Sequence, residues 1–357
     1  MSAFELPVTG ETTISCYLHD IPEFVEKELA TTYETLHSSL QFFKVWRSVD
    51  NVSCYIARRD NRASEVLLFS CDDRQLVVLN EMIDIEPAGL QRFANYIFEH
   101  FPAVDVIRFN AVNTARTAIG FPLQRHNAKD TFVVSLPATP DEYLAALGKS
   151  TRASTRSRIN YFNKNFTSFT VKCLVNEEID EDTVHQIARF SEQRISAKGV
   201  AFTHDVDRIL ALASSCGFVT MLLIDGRLCA GSINYRIGAS VFGEITAHDP
   251  AYDRHGLGTL CVYHTICESI KRGGRKLYLG GGRFTFKERM LGKRLDMDQL
   301  LIYRSYGTAL ANLDLATVAF AQGQVRRLKR ELHEHKGTFG ADLVFRLFHA
   351  YRSKTEK

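Results

Sequence analysis

From residue 218 onward, apolar runs and turn residues follow one another in an informative order. The runs 218–224 (F-V-T-M-L-L-I) and 228–237 have β-type composition and are separated by Asp225-Gly226-Arg227. Asp-Gly between two such runs predicts a hairpin, because the turn needs positive φ, which Gly supplies at little cost. A third run, 240–247, follows Gly238. Next, 257–272 carries Leu260, Cys261, Tyr263, Ile266, Cys267 and Ile270 at helical spacing and stops at Gly273-Gly274, a C-terminal signal. A short strand over 276–279, three glycines at 280–282 and a last strand near 299–303 complete the series.

The first half repeats this order more faintly. A helical opening over 23–46 precedes strands at 52–57, 65–70 and 75–80. A helix at 87–100 has Pro87 in its first turn, where the missing N–H costs nothing. Strands at 104–110 and 131–136 follow. The pattern predicts an α/β protein with mixed sheets in two tandem copies. The expected division is a first copy at 1–138, a connecting helix and strand at 139–178, a second copy at 179–307 and helices at 308–357.

Two places carry candidate chemistry. In 240–247, Val241, Gly243, Ile245 and Ala247 alternate with Phe242, Glu244 and Thr246, and His248 continues the second row. A polar stripe on a central strand is better explained by a cleft than by packing, which makes Glu244 the first candidate for a general base and His248 the second. A cross-strand pair between Glu244 and Arg236 is the non-catalytic alternative. The second place is the turn before the 257–272 helix. There Gly256 and Gly258 let the backbone approach a phosphate, the free N–H groups of the helix end point outward, and Thr259 adds a hydroxyl.

In this order of elements, with Asp249-Pro250-Ala251-Tyr252, the glycine turn, and Gly280-Gly281-Gly282 followed by Phe286-Lys287-Glu288-Arg289, the chain resembles the GNAT acyltransferase superfamily. The finer likeness is to its CelD-like branch, related to the FemABX peptidyltransferases. The resemblance implies a double-GNAT architecture with a degenerate first copy. It also implies an acyl-CoA donor, acetyl-CoA first, held by Arg254, His255, Gly256, Leu257, Gly258 and Thr259. Tyr252 would protonate the leaving thiolate, and Lys287 would meet anionic groups or the acceptor. Asp249, Gly282 and Arg283 would line the substrate side. The family's diphosphate motif opens on Gln or Arg, where this chain has Asp253, with Arg254 second. Phe286 stands where relatives often carry Tyr.

Charge adds a third element. No acidic residue occurs between Tyr143 and Asn176, and Lys149, Arg152 and Arg156 fall on one face of an expected helix over 141–166. That cluster suits an anion: coenzyme A phosphates, an acceptor's carboxylate or phosphate, or an acidic acyl carrier protein. A solvated face neutralised elsewhere is the alternative. A basic amphipathic stretch at 324–336 suits docking on its own domain or peripheral contact with an anionic membrane.

Composition narrows the rest. A chain of 357 residues accommodates two domains, and a net charge of +3 gives no argument for nucleic acid. No run approaches the roughly 18 apolar residues of a spanning helix. The eight cysteines include no Cys-x-x-Cys pair, which points to a reduced, cytoplasmic chain without a structural metal. The expected activity is transfer of an acyl group to the amine of a small molecule by direct attack with general-base help. The alternatives are transfer from acyl carrier protein, a FemABX-like aminoacyl transfer, and a binding module without activity.

Overall fold

The computed structural model describes residues 4–8, 12–282 and 285–334. Its first half runs β1 (Phe4–Val8), β2 (Thr12–Tyr17), α1 (Val25–Tyr33), α2 (Leu40–Trp46), β3 (Ser53–Arg59), β4 (Arg62–Asp72) and β5 (Gln75–Asp84). It continues through α3 (Pro87–His100), β6 (Val106–Asn113), β7 (Leu123–Ser135), α4 (Pro140–Ala146), α5 (Lys149–Asn165) and β8 (Phe169–Val175). Then come α6 (Glu181–Ser196), α7 (Val206–Cys216), β9 (Gly217–Ile224), β10 (Arg227–Ile237) and β11 (Ser240–His248). The series ends with α8 (Leu257–Lys271), β12 (Lys276–Tyr278), α9 (Thr285–Arg289), β13 (Gly292–Tyr303), α10 (Tyr306–Ala311) and α11 (Leu313–Glu334).

The chain forms two compact units, interleaved in sequence. One takes residues 1–70, 78–85 and 130–295; the other takes 71–77, 86–129 and 296–357. In the larger unit, β1–β2–β3–β4 pair antiparallel in succession. A second ladder runs β8–β9–β10–β11 antiparallel, adds β12 parallel to β11, and pairs β12 antiparallel with β7. In the smaller unit β13 pairs antiparallel with β6, and Val106, Leu301, Tyr303 and Ala319 share a core.

The second ladder is covered on both faces. On one, α8 packs Leu257, Leu260, Cys261 and Ile266 against Val241, Leu222 and Ala230, joined by Tyr143 of α4 and Phe162 of α5. On the other, α6 and α7 meet Val219, Ile233, Phe242 and Ile245, and Phe42 and Trp46 of α2 join that core. A helix buried on nearly every side needs apolar residues all round, which is why α8 has ten buried positions. Each fully buried Leu or Ile there contributes about 1.5–3 kcal/mol.

Three expectations change. The 23–46 helix is divided into α1, a short 3-10 turn at Leu36–Ser38 and α2, because Glu34 closes α1 in a left-handed conformation. The 141–166 helix is likewise two, α4 and α5, with Gly148 in extended backbone between them. The helices α6 and α7, opened by the Asp180 and Asp205 caps, had not been read from the pattern. The Asp-Gly hairpin forms as expected, with Asp225 and Gly226 both at positive φ. Of the basic stretch at 324–336, residues 335 and 336 lie outside the described residues, as does Arg283.

Candidate active site

The site is built on a fault in β11. Its pairing with β10 runs Ile233↔Ile245 and then Asn234↔Gly243, so Glu244 is an extra residue without a partner across the ladder. Such a β-bulge re-aims side chains and bends the strand. It also shifts the face of every residue beyond it. The simple alternation set Phe242 in one row with Glu244, Thr246 and His248; instead Phe242 shares its core with Ile245 and Ala247, while Val241 packs beneath α8. The other edge of β11 also opens. Its parallel pairing with β12 covers only Ser240, Val241 and Phe242, after which β12 ends and the chain follows β7 through Leu279 N–H to Phe132 O. From Gly243 to His248 that edge has no register partner on β12.

Glu244 lies at this fault. Its side chain reaches solvent, yet the surrounding protein pushes its carboxyl above the usual carboxylate range through desolvation. The carboxyl is thus open to water on one side and desolvated by protein on the other. No ion pair joins Glu244 to Arg236 among the described residues; Arg236 is in register with Val241 and donates instead to the Arg272 carbonyl. Close by is Tyr235, which the Glu244 charge reaches and whose buried hydroxyl has no hydrogen-bond partner.

At the end of β11 stands His248. Its Nε2 lies 2.8 Å from Asp253 Oδ1, while its buried Nδ1 has no partner. With Nε2–H donated to the carboxylate, Nδ1 is the ring's acceptor. Asp253, the departure from the family's motif, therefore orients His248. Gly258 is there because of this ring: a Cβ at that position would lie 2.6 Å from His248 Nδ1.

Gly256 turns the chain into α8 with φ 67° and ψ 32°, left-handed backbone, and offers no side chain to cap the helix. The first hydrogen bond of α8 is Leu260 N–H to Gly256 O, so the preceding amides face outward from the positive end of the dipole. Arg158 lies directly over this end; a Cβ on Gly256 would be 2.5 Å from its Nε. No carboxylate among the described residues forms an ion pair with Arg158. A cation at a helix N-terminus is unfavourable by about 0.3–1 kcal/mol, and an anion shared between guanidinium and amides would relieve it. The His255 ring stacks on Tyr161, centroids 4.9 Å apart, and so pins the turn to α5.

The other candidates divide. Lys149, Arg152 and Arg156 follow one another along α5, but Arg152 donates to the Ala145 carbonyl at 2.8 Å. Arg158, absent from the expected donor-site residues, belongs to the face of α5 that buries Thr155 and Phe162. Its three- and four-residue spacing from them was the available signal. Arg254 is exposed, and Thr259 is half-buried in the first turn of α8. Asp249 accepts from Ala251 N–H at 2.9 Å, closing the turn. The Tyr252 ring packs near Phe166 at 6.0 Å, with its hydroxyl beside Cys229. Burial pushes that phenol up.

Lys287 points inward. It is buried, and its Nζ donates to the carbonyls of Gly280, Gly281 and Gly282 at 3.0, 2.6 and 3.3 Å. Desolvation brings its pKa down to about 8. The lysine shapes the glycine loop after β12, which explains three glycines and a lysine at this spacing. Among the described residues no cluster of three His, Cys, Asp or Glu side chains could hold a metal ion, and no helix is long and apolar enough to cross a membrane.

Comparison with known proteins agrees with this geometry. Residues 149–288, from the start of α5 to α9, match the family model of the acetyltransferase (GNAT) domain. No curated protein sequence matches. Among solved structures, FemX is similar over 82% of this chain and 99% of its own, with a TM-score of 0.60 at 10% identity. A conserved protein of unknown function from Bacteroides thetaiotaomicron VPI-5482 is similar over 80% of this chain and 99% of its own, with a TM-score of 0.51 at 11% identity. Such identities speak for the fold alone. The bulged β11, the open end of α8 and the family match fall in one segment: residues 149–288 form a GNAT acetyltransferase domain, and the chain shares the fold of FemX.

Proposed function

We infer that the chain transfers an acyl group from acyl-CoA to the amine of a small molecule, with the donor's diphosphate at the amides of 256–259 and Arg158. The observation that carries this reading is the unpaired Arg158 guanidinium over the uncapped end of α8. Two positive features brought together without an anion are explained by a ligand that supplies one. The splayed edge of β11 beyond Phe242 offers unpaired backbone to the pantetheine arm and the thioester carbonyl.

Glu244 is the general base. As the neutral amine attacks the thioester carbon, its carboxylate accepts the proton that the amine loses, directly or through water. The carbon–sulfur bond then breaks and the thiolate departs with its electron pair. The raised carboxyl fits this task, because a base closer to neutrality holds the proton better once taken. His248, oriented by Asp253, is the second basic group on the strand. Lys287 acts by positioning the loop after β12.

Isothermal titration with coenzyme A, acetyl-CoA and longer acyl-CoAs tests the donor. Saturable binding of any of them supports the reading. Absence of binding by all of them, with binding of an acyl carrier protein, would move the donor to that class and the basic face of α5 to its docking.

A further inference from the structure

In the smaller unit, α11 is turned the wrong way round for a surface helix. Its inner side meets the sheet through small residues: Ala319 is buried with Val106, Leu301 and Tyr303, and Ala316 packs beside it. Gly323 lies so close to β7 that a Cβ there would be 2.8 Å from His126 Cβ. Polar contacts complete the seat, with Gln124 Nε2 donating to Ala316 O at 2.8 Å and Arg326 Nε to Asn127 Oδ1 at 3.1 Å. The large apolar side chains point the other way. Leu310 of α10 and Leu313, Val318, Phe320, Val325 and Leu328 of α11 are all exposed, Phe320 by 59% against 4% for Ala319. On the helical wheel the five on α11 fall within an arc of roughly 160°, opposite Ala316, Ala319 and Gly323.

A surface helix normally buries its apolar stripe and shows its polar one to water. Contiguous apolar surface of this extent marks a place where something else binds. Six side chains of this size present roughly 600 Å² per copy, so two copies face to face would bury about 1,200 Å², where stable protein interfaces begin. The pattern also fits its own reverse. Read backward about the midpoint of Phe320 and Ala321, Leu313 exchanges with Leu328 and Thr317 with Gln324, and Val318 comes within two residues of Val325. A twofold contact requires this self-complementarity, because the patch meets a copy of itself. The same reversal brings exposed Asp314 of one helix to the level of exposed Arg327 of the other, acid toward base. A bilayer fits less well. Exposed Asp314, Thr317 and Gln324 lie within the apolar arc, and lipid would strip them of water without replacing it. A protein partner can hydrogen-bond them.

We propose that the exposed face of α11 is a dimer interface, on which a second copy of this chain seats its own α11 antiparallel about a twofold axis near Ala321. Leu313, Val318, Phe320, Val325 and Leu328 form the apolar part of the contact, and Asp314 with Arg327 sets its direction. A parallel arrangement would set Asp314 against Asp314 and Arg327 against Arg327. Neither α10 nor α11 carries a residue assigned to the donor or to catalysis, so this surface stands independently of the function proposed above.

The test is sedimentation velocity of the full chain over a hundredfold range of concentration. The parent should reach twice the mass of one chain. Phe320→Glu and Leu328→Glu should each raise the dimer dissociation constant a hundredfold or more. Both residues are exposed, so the urea midpoint of the monomer should not fall. The twofold axis makes the charge pair twice, so Asp314→Arg alone should raise the constant about tenfold. Asp314→Arg combined with Arg327→Asp should return it to within threefold of the parent, which a merely apolar contact would not do. The proposal is overturned if the parent is monomeric at every concentration, if the dimer survives Phe320→Glu together with Leu328→Glu, or if the exchange of charges restores nothing. A parent that stays monomeric yet sediments with phosphatidylglycerol vesicles, and stops doing so in Phe320→Glu, would overturn it in favour of a lipid surface.

Discussion

Replacing Arg158 by Ala should make the protein worse at binding its donor and no worse at folding. The guanidinium sits over the uncapped first turn of α8, where it faces the positive end of the helix dipole without a carboxylate. Removing it relieves an unfavourable contact of about 0.3–1 kcal/mol, so the urea midpoint should stay level or rise. In the complex the same side chain would make a charge-assisted hydrogen bond to a phosphate oxygen, for which about 1.5–3 kcal/mol is typical. At about 1.4 kcal/mol per factor of ten, the dissociation constant for coenzyme A should rise roughly tenfold to a hundredfold. Calorimetric titration with coenzyme A and, in parallel, with pantetheine isolates the contribution, because pantetheine lacks the diphosphate. Pantetheine affinity should be the same in both proteins. The reasoning fails if coenzyme A binds equally well to Arg158→Ala, or if pantetheine binding weakens to the same extent.

Further outcomes follow from other contacts. Glu244→Gln should lower turnover by about 10²–10⁴ while donor affinity stays within twofold. In the parent protein, activity should rise with pH through a midpoint above the ordinary carboxylate range, and the variant's pH profile should lack that limb. The sign for stability is opposite: a carboxyl raised by folding makes the native state lose stability as pH climbs from the unfolded to the folded pKa. Near neutrality Glu244→Gln should therefore be at least as stable as the parent in urea. Gly258→Ala brings a Cβ to 2.6 Å from His248 Nδ1; His248 must move off Asp253, and the NMR chemical shifts of its ring protons should change. Lys287→Met removes the amine shared by the carbonyls of Gly280, Gly281 and Gly282, leaving Gly280 O only the Phe132 N–H, and should cost about 1–3 kcal/mol in urea denaturation. Folding lowers the Lys287 pKa to about 8 from 10.5, so its contribution to stability improves as pH rises through that window, a slope the variant should lack.

The sequence alone determined the elements that repeat a local period. The Asp225-Gly226 hairpin, the all-round apolar α8 and the glycine turn at Gly256 are each dictated by neighbours within a few residues, and all three stand in the fold. The GNAT likeness was legible for the same reason, because its marks lie within one short segment. What the pattern could not contain is any contact between distant residues. A bulge is invisible to a two-residue period, so Phe242 was set on the wrong face and Glu244 was found by its chemistry rather than its geometry. The partnership of Asp253 with His248 turned an apparent loss of motif into an orienting carboxylate. Lys287 was expected to meet anionic groups or the acceptor; in the fold its amine donates to three loop carbonyls, which no local spacing reports. Arg158 comes to rest on the turn only because α5 packs across α8, nearly a hundred residues further along the chain. Local free energies choose helices, turns and strands from neighbouring residues; which charges meet, and which remain unpaired to receive a ligand, is decided when those elements pack and water is excluded between them.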